Sequence, residues 1–213
     1  MSEPSSPLAP PPRLVLASTS VCRRELLARL KLPFEVVSPE VDETPLPDEA
    51  PAALCERLAL AKARAVAAQW PHAVVIGSDQ VAELDGEPVG KPWTHERAVG
   101  QLRAMRGRAV VFHTAVAVLR HDRAFEAVRR VPVTVRFRAL SDVEIETYLR
   151  LEQPYDCAGS AKCETLGITL LEAIESDDPT ALIGLPLIVT SALLRQAGLD
   201  ALAHHAAASG GLA

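Results

Sequence analysis

The stretch RLVLASTSVCRRELLARL, residues 13–30, joins a short apolar run to an amphipathic helix through three small polar residues. The run Arg13–Ala17 is typical of a short buried strand. Apolar residues then recur at positions 26, 27 and 30, the spacing of one helix face, and Ser20 is placed to cap the helix N-terminus. A strand that leads directly into a helix is a building unit of α/β folds.

The same alternation continues along the chain. Further strands are predicted over Phe34–Ser38, Ala73–Ser78, 109–120, 124–137 and Ile168–Ile174, with a hairpin turn at Asp85-Gly86. Further helices are predicted over Ala52–Trp70, over Thr94–Met105, from a capping box at Ser141 to about Arg150, and from about Pro186 to Gln196, before Gly198. Because hairpins occur among strand–helix units, we expect an α/β fold with a mixed β-sheet flanked by helices.

Length and composition favour one folded unit between two tails. The 213 residues suit a single α/β domain, and a hydrophobic content of 48% is enough to build a core. Residues 1–12, MSEPSSPLAPPP, lack the charged and apolar regions of a signal peptide and are predicted to be a disordered tail. Residues 199–213 are predicted to be a flexible C-terminal end, which leaves 13–198 as the domain.

Charge and cysteine content exclude several kinds of partner. A net charge of −5 leaves no basic field for binding nucleic acid, although a few local cations suffice for a small anion. No run of eighteen apolar residues predicts a membrane span. The four cysteines form no CxxC pair, so neither a zinc site nor a disulfide framework is predicted, and a reducing cytoplasmic location is expected.

The first polar segment lies where the opening strand meets its helix. Ser18, Ser20, Arg23 and Arg24 place two hydroxyls and two guanidinium groups beside the free N–H groups of a helix start. Such a combination suits phosphate. The alternative is a solvated helix start whose arginines pair with Glu25 or other surface acids.

Acidic residues follow in two places. Asp42 and Glu43 lie in a proline-rich loop, and Lys62 lies on the helix beyond it. Asp79 comes directly after the predicted strand Ala73–Ser78, where open α/β sheets bind ligands at their carboxyl edge. These carboxylates suit a magnesium ion that also contacts phosphate, and Asp79 is placed to accept a proton from water. The alternatives are a solvated acidic pair and a turn aspartate bonded to its own backbone.

Two later segments add charges. Lys91, in a Gly-Lys-Pro sequence, is a further cation for phosphate, or else a surface lysine. The loop 158–164 contains a glycine that permits close backbone approach and ends in Lys162, Cys163 and Glu164. By itself this loop is a weak signal for recognition of a base.

Taken as an ordered set, these segments resemble the Maf family, named for septum formation, which contains nucleotide pyrophosphatases. The resemblance covers about residues 13–198. It is carried by LASTSVCRRELL, FEVVSPEVDET, LALAKA, VVIGSDQV, GEPVGKP, DCAGSAKCETLGITL and ALIGLPL. It implies an elongated α/β fold related to the house-cleaning inosine triphosphate pyrophosphatases, dependence on a divalent cation (Mg²⁺ or Mn²⁺), a nucleotide substrate and a homodimer.

The resemblance also implies roles for individual residues. They are the phosphate-binding Ser18 or Ser20, the phosphate-binding Arg23 or Arg24, the acidic-loop residue Glu43, the helix lysine Lys62, the catalytic Asp79 and the Gly-Lys-Pro lysine Lys91. Asp79 is then expected to accept the proton of the attacking water and to share the metal with Glu43. The alternative gives Glu43 the role of base.

Three positions separate branches of the family. The branch that acts on dTTP and UTP carries Arg, Thr and Gln where this chain has Cys22, Gln80 and Glu164. Gln80 and Glu164 resemble the branch that acts on 7-methyl-GTP, whereas Cys22 replaces a bulky aromatic residue of that branch. Guanine presents N–H donors that a carboxylate accepts, and N7-methylation makes the base cationic. Both Glu164 and Cys22 make the pocket more negative than the pyrimidine pattern does, which favours the cationic base.

We therefore expect a nucleoside triphosphate pyrophosphatase that converts 7-methyl-GTP, or a similar modified nucleotide, to the monophosphate and pyrophosphate. One alternative is the same chemistry on dTTP or UTP. The other is a non-catalytic nucleotide-binding regulator of cell division, which would need no acid at position 79.

Overall fold

A computed structural model describes residues 12–208 of the chain. Within that range the strands are β1 (Leu14–Ala17), β2 (Glu35–Val37), β3 (Val74–Leu84), β4 (Glu87–Val89), β5 (Ala109–Arg120), β6 (Phe125–Phe137) and β7 (Leu171–Glu175). The helices are α1 (Val21–Ala28), α2 (Pro51–Ala67), α3 (His95–Met105), α4 (Asp142–Glu152), α5 (Leu187–Gln196) and α6 (Ala201–Ala208).

The strands form one mixed sheet in the order β2-β1-β3-β5-β6-β7, and β4 pairs with β3. Strand β1 is parallel to both β2 and β3, whereas the later pairs are antiparallel. The longest strands have 12 and 13 residues, so the sheet extends about 40 Å along them. The predicted fold class, an elongated mixed sheet flanked by helices, is confirmed.

Helices cover both faces of the sheet. On one face, α2 packs against alternate residues of β3 and β5, among them Val75, Val81 and Ala117. On the other face, α1 and α5 pack near Ile76, while α3 and α4 pack near Phe112. Because side chains alternate along a strand, consecutive residues of β3 point to different helix layers.

Local sequence signals predicted several element boundaries correctly. Ser20, Thr94 and Ser141 each cap a helix through the side-chain oxygen, and Ser141 forms the predicted capping box. Asp85 and Gly86 form the hairpin turn with φ angles of +57° and +84°, the left-handed conformation such turns require.

Two predicted strand boundaries were wrong. Strand β3 continues through Asp79 and Gln80 to Leu84, because it pairs with β5 as far as Glu83. The strand predicted over Ile168–Ile174 begins at Leu171, since Leu166–Leu170 forms a 3-10 turn instead.

The ends of the chain are described only in part. Residues 1–11 of the predicted tail 1–12, and residues 209–213 at the other end, lie outside the described residues. Helix α6 lies within the segment 199–213 and was not predicted. Among residues 12–208, no helix combines the length and the apolar character that crossing a membrane requires.

Candidate active site

A buried lysine between two carboxylates forms the centre of the candidate site. Lys62 Nζ lies 2.6 Å from Asp79 Oδ1 and 2.6 Å from Glu43 Oε1. Lys62 and Asp79 are each only 6% exposed, so their charges are held largely out of water. Burying a charge is costly unless it is paired, which makes the Lys62–Asp79 contact a strong constraint on both side chains.

A glycine brings the elements that carry this pair together. Gly77 of β3 faces α2, and a Cβ atom there would lie 2.6 Å from the backbone nitrogen of Ala63. Helix α2 therefore packs directly against the strand backbone at this point. Lys62 and Asp79 lie next to this close approach, which brings the lysine within hydrogen-bonding distance of the carboxylate.

Asp79 occupies a different position from the one predicted. It does not follow a strand but lies within β3, two residues beyond Gly77, which pairs with the last residue of β1, Ala17. The aspartate thus lies just beyond the carboxyl end of β1, where β3 is still paired with β5 on its other side. Cys55 lies behind it and donates from Sγ to the carbonyl of Asp79 at 3.2 Å. Burial raises the pKa of the Cys55 thiol to about 12, so this group stays protonated.

Glu43 is the accessible carboxylate of the centre, with a side chain 54% exposed. Partial burial raises the pKa of Glu43, but its hydrogen bond to Lys62 and the charges of Lys62, Lys91 and Arg23 lower it further than burial raises it. Its pKa therefore lies below the ordinary value. Three predicted cations thus favour the charged form of one carboxylate, and Lys62 is the one in direct contact with it.

The junction between β1 and α1 forms a hydrogen-bonded turn at Ser18–Ser20. Ser18, only 3% exposed, accepts a hydrogen bond from the Ser20 backbone at 3.1 Å, and Ser20 caps α1. Arg23 Nε donates to the Gly184 carbonyl at 2.9 Å, whereas the Arg24 side chain is exposed and makes no ion pair within residues 12–208. The two arginines therefore differ: one is anchored and the other is free to move.

The partner of Arg23 belongs to a segment to which the sequence assigned no role. Ser78 Oγ also donates to the Gly184 carbonyl, at 3.0 Å. Asp178, 2% exposed, holds the segment by accepting from the backbone of Thr180 at 3.0 Å and of Ile188 at 2.7 Å. The motif ALIGLPL contains Gly184, but its polar anchor lies upstream of the motif, so the motif alone did not reveal this function.

Two of the three predicted specificity residues contact each other. Cys22 Sγ lies 3.4 Å from Glu164 Oε1, which joins the start of α1 to the late loop. Burial raises the pKa of the Cys22 thiol, and the neighbouring Glu164 carboxylate raises it further. Cys22 is therefore a neutral thiol beside an exposed carboxylate.

Gln80 lies on the opposite face of β3 from Asp79. Its Nε2 donates to Thr114 Oγ1 at 2.9 Å and to the carbonyls of Ala181 and Leu182 at 3.1 and 2.9 Å. The amide nitrogen is thus committed to holding the segment that ends at Gly184. Any contact of Gln80 with a ligand would have to come from its carbonyl oxygen.

Lys91 lies at the rim of the site, after β4. Its Nζ is 5.2 Å from the centroid of the Trp93 ring. Lys91 also lines, with Arg97 and Met105, an open groove of about 420 Å³ between the β3–β4 hairpin and α3.

The donor set for a metal is small. Within the described chain, no three His, Cys, Asp or Glu residues are arranged to hold an ion. Glu43 and Asp79 nevertheless offer oxygens to the same Lys62 Nζ, so these oxygens lie no more than twice 2.6 Å apart. Asp79 Oδ2 accepts no hydrogen bond from residues 12–208. Two carboxylates with room for water and phosphate oxygens fit Mg²⁺, which is seldom enclosed by protein ligands alone.

A family model described as "Maf-like protein" matches residues 13–197 of the chain. A "7-methyl-GTP pyrophosphatase" of a Polaromonas species is 68% identical over 186 residues, which cover 87% of this chain and 85% of that protein. Proteins with the same description from Albidiferax ferrireducens and Bordetella pertussis are 60% and 58% identical, over 89% and 92% of this chain and 96% and 98% of theirs.

Two solved structures show a more distant likeness. A HAM1 protein from Coxiella burnetii has a TM-score of 0.45 at 19% identity and covers 61% of this chain and 74% of its own. The Ham1 protein of Staphylococcus aureus has a TM-score of 0.44 at 18% identity and covers 60% of this chain and 72% of its own.

Proposed function

The chain belongs to the Maf-like protein family, and from that premise we propose that it is a nucleoside triphosphate pyrophosphatase acting on 7-methyl-GTP. The observation that carries the proposal is the buried Lys62, 2.6 Å from both Asp79 and Glu43, at the carboxyl end of β1. The description of relatives at 58–68% identity as 7-methyl-GTP pyrophosphatases supports the same activity.

The cations around Glu43 would bind the triphosphate. Arg23, Lys62 and Lys91 all act on this carboxylate, and Arg24 is free to turn toward a ligand. Charge-assisted hydrogen bonds from such groups to phosphate oxygens are the strong class of hydrogen bond. They would also stabilise the negative charge that develops on the leaving pyrophosphate. The turn Ser18–Ser20 would place its backbone and the N-terminus of α1 against the same phosphates.

The reaction breaks the bond between the α-phosphorus and the oxygen that bridges it to the β-phosphorus. Water attacks the α-phosphorus, Asp79 accepts the water proton, and the bridging oxygen leaves with the bonding electrons as part of pyrophosphate. Asp79 Oδ2 is available for this role, since Lys62 engages Oδ1. Glu43 remains the alternative base, because its side chain is the more exposed of the two.

Glu43 and Asp79 would also hold a divalent cation, Mg²⁺ or Mn²⁺. Such an ion neutralises phosphate charge and makes a bound water easier to deprotonate. Lys62 would then move from between the carboxylates toward a phosphate oxygen, so that its buried charge stays paired.

Base selectivity would come from the late loop and the start of α1. Glu164 offers a carboxylate to the guanine N–H groups, and its contact with the uncharged Cys22 leaves the region without an opposing cation at that position. A cationic 7-methylguanine is favoured there over a neutral pyrimidine. Gln80 would act through the segment that it holds rather than through its amide nitrogen.

The alternatives differ in measurable ways. A dTTP or UTP pyrophosphatase would share the phosphate site but prefer pyrimidines, and the Cys22–Glu164 contact argues against it. A non-catalytic regulator would not need a buried Asp79 paired with Lys62, whose desolvation is costly. The homodimer and the cytoplasmic location stay predictions.

The decisive experiment measures pyrophosphate release from 7-methyl-GTP, GTP, dTTP and UTP with and without Mg²⁺. We expect 7-methyl-GTP to be hydrolysed most efficiently and Mg²⁺ to be required. Glu164→Gln should lower the efficiency ratio of 7-methyl-GTP to UTP at least tenfold. It removes the charge, and its amide would leave one polar group unpaired against the bound guanine edge, at a cost of about 1–3 kcal/mol. Cys22→Arg and Gln80→Thr should lower the ratio further. A ratio unchanged by all three substitutions would place base recognition elsewhere.

A further inference from the structure

We propose that Trp93 is a specificity-determining residue whose indole ring stacks on the base of the bound nucleotide and favours a positively charged base. The inference rests on the proposed function and names a group that would contact the base in the same site. It does not depend on Glu164, which would recognise the edge of the base rather than its face.

Trp93 is the aromatic side chain that the fold leaves available. It is 63% exposed. The other aromatic residues all pack against the hydrophobic clusters of the sheet, namely Phe34, Trp70, Phe112, Phe125, Phe137, Tyr148 and Tyr155. All eight Phe, Trp and Tyr residues of the chain lie within residues 12–208, and Trp93 is the only one of them whose side chain is mostly exposed.

The backbone at Trp93 adopts an unfavourable conformation. Trp93 has a φ of +61°, a left-handed conformation that is unfavourable for a bulky side chain. Its N–H donates to the Tyr155 carbonyl at 2.9 Å, which holds the residue in place. Such strain is retained where the surrounding structure enforces it, often at ligand-binding positions. Burial of the ring does not explain it, because the ring is exposed.

The position of Trp93 connects the two halves of the site. On one side, Lys91 Nζ lies 5.2 Å from the ring centroid, and the Lys91 charge acts on Glu43 of the centre. On the other side, Tyr155 begins the loop that runs to Glu164, whose carboxylate contacts Cys22. Trp93 is therefore anchored between a phosphate-binding cation and the loop expected to read the base.

Lys91 and a cationic base would compete for the face of the Trp93 ring. The face of an indole attracts cations, and Trp is the strongest of the aromatic side chains in this respect. When Lys91 turns toward phosphate, the ring is left free for the base, which takes over the cation–π contact. A neutral guanine would stack on the ring but would lack this electrostatic attraction. The contact therefore favours 7-methylguanine over guanine.

Tryptophan fluorescence tests the contact directly. The chain has two tryptophans, Trp70 and Trp93, so a Trp70→Phe variant reports on Trp93 alone. We expect 7-methyl-GTP to quench this signal in a saturable way, in Ca²⁺ or without metal to prevent turnover, and GTP to quench it less. Inorganic tripolyphosphate should leave the signal largely unchanged. Equal quenching by tripolyphosphate would mean that the ring senses only Lys91 and would overturn the proposal.

Kinetics of substituted enzymes provide the second test. Trp93→Leu keeps an apolar side chain without an aromatic face, and Trp93→Phe keeps a smaller face. The efficiency ratio of 7-methyl-GTP to GTP should fall about two- to thirtyfold in the Leu variant, the range expected for a cation–π contact, and less in the Phe variant. An equal loss on both substrates would assign Trp93 to positioning Lys91 and would refute a role in base selection.

A third variant separates these effects from misfolding and from failure of the proposed function. Trp93→Gly suits a φ of +61°, so it should fold at least as stably as the parent while losing the same selectivity as the Leu variant. If the parent enzyme hydrolyses only pyrimidine triphosphates, the proposed substrate is wrong. In that case the stacking of Trp93 on a base is tested with UTP instead. UTP should quench the fluorescence of the Trp70→Phe protein more than tripolyphosphate does.

Discussion

Replacing Asp79 by asparagine removes one charge from the Lys62 centre and preserves its shape. Asn keeps an oxygen that can accept from Lys62, and Lys62 keeps its second partner, Glu43, at 2.6 Å. Removal of one member of a buried ion pair costs about 3–5 kcal/mol when the other is left unpaired. Because Glu43 remains, we expect a smaller loss, about 1–3 kcal/mol, and a decrease in Tm of several degrees.

Activity should fall far more than stability. Loss of a general base typically lowers the rate about 10²–10⁴-fold, and that loss should appear in kcat on every nucleotide tested. The assay is pyrophosphate release under saturating substrate, with circular dichroism to confirm folding. Glu43→Gln is the matched control, since it changes the other carboxylate that contacts Lys62. If Asp79→Asn is folded and retains activity within threefold of the parent while Glu43→Gln does not, Glu43 is the base and our assignment is wrong.

Three further outcomes follow from the contacts described. Arg23→Ala should weaken triphosphate binding about ten- to hundredfold without a matching effect on nucleoside binding. It should also lower Tm, because the hydrogen bond to the Gly184 carbonyl is lost. Arg24→Ala should weaken triphosphate binding and leave Tm unchanged. Equal Tm values for the two variants would contradict the anchoring of Arg23. Gln80→Thr should destabilise the protein by about 1–3 kcal/mol, measured by urea unfolding, because the Leu182 carbonyl loses its donor and the Ala181 carbonyl keeps only Thr114 Oγ1. Hydrogen bonds from Ser141, and the Arg138 charge, lower the pKa of Glu144 to about 2 from 4.5, so its stabilising effect is present above pH 4.5 and is lost toward pH 2. The Tm difference between the parent and Glu144→Gln should therefore disappear over that interval, and a difference constant with pH would refute this.

The parts of the fold that could be predicted are those determined by neighbouring residues. Ser20, Thr94 and Ser141 bond to backbone N–H groups three residues ahead, so their caps are visible in the sequence itself. The continuation of β3 through Asp79 and Gln80 could not be predicted in this way, because pairing with Ala115 and Thr114 of β5, more than thirty residues later, makes these two residues part of the strand. Helix α6 was missed for a different reason: Asp200 caps it by accepting from the Leu202 and Ala203 N–H groups, but the sequence after Gly198 was interpreted as a flexible end.

The candidate site was predictable in its residues and not in its connections. The ordered motifs identified Glu43, Lys62 and Asp79, and these side chains do meet. The role of Gly184 was not predictable, because every residue has a backbone carbonyl and the sequence does not show which carbonyl accepts a given hydrogen bond. The commitment of Gln80 to that segment was hidden for the same reason, since its acceptors are main-chain carbonyls.

Asp79 and Gln80 are adjacent in the chain, yet strand geometry turns them toward different helix layers. One peptide bond thus separates the proposed chemistry from a residue expected to influence which nucleotide is accepted. Mutations on the Gln80 side reach the carboxylate only indirectly, through the segment whose Gly184 carbonyl anchors Arg23. An ancestral protein of this kind would be able to change its preferred nucleotide in small steps while hydrolysis continued at each step. A single scaffold would in this way give rise to enzymes that discard different nucleotides.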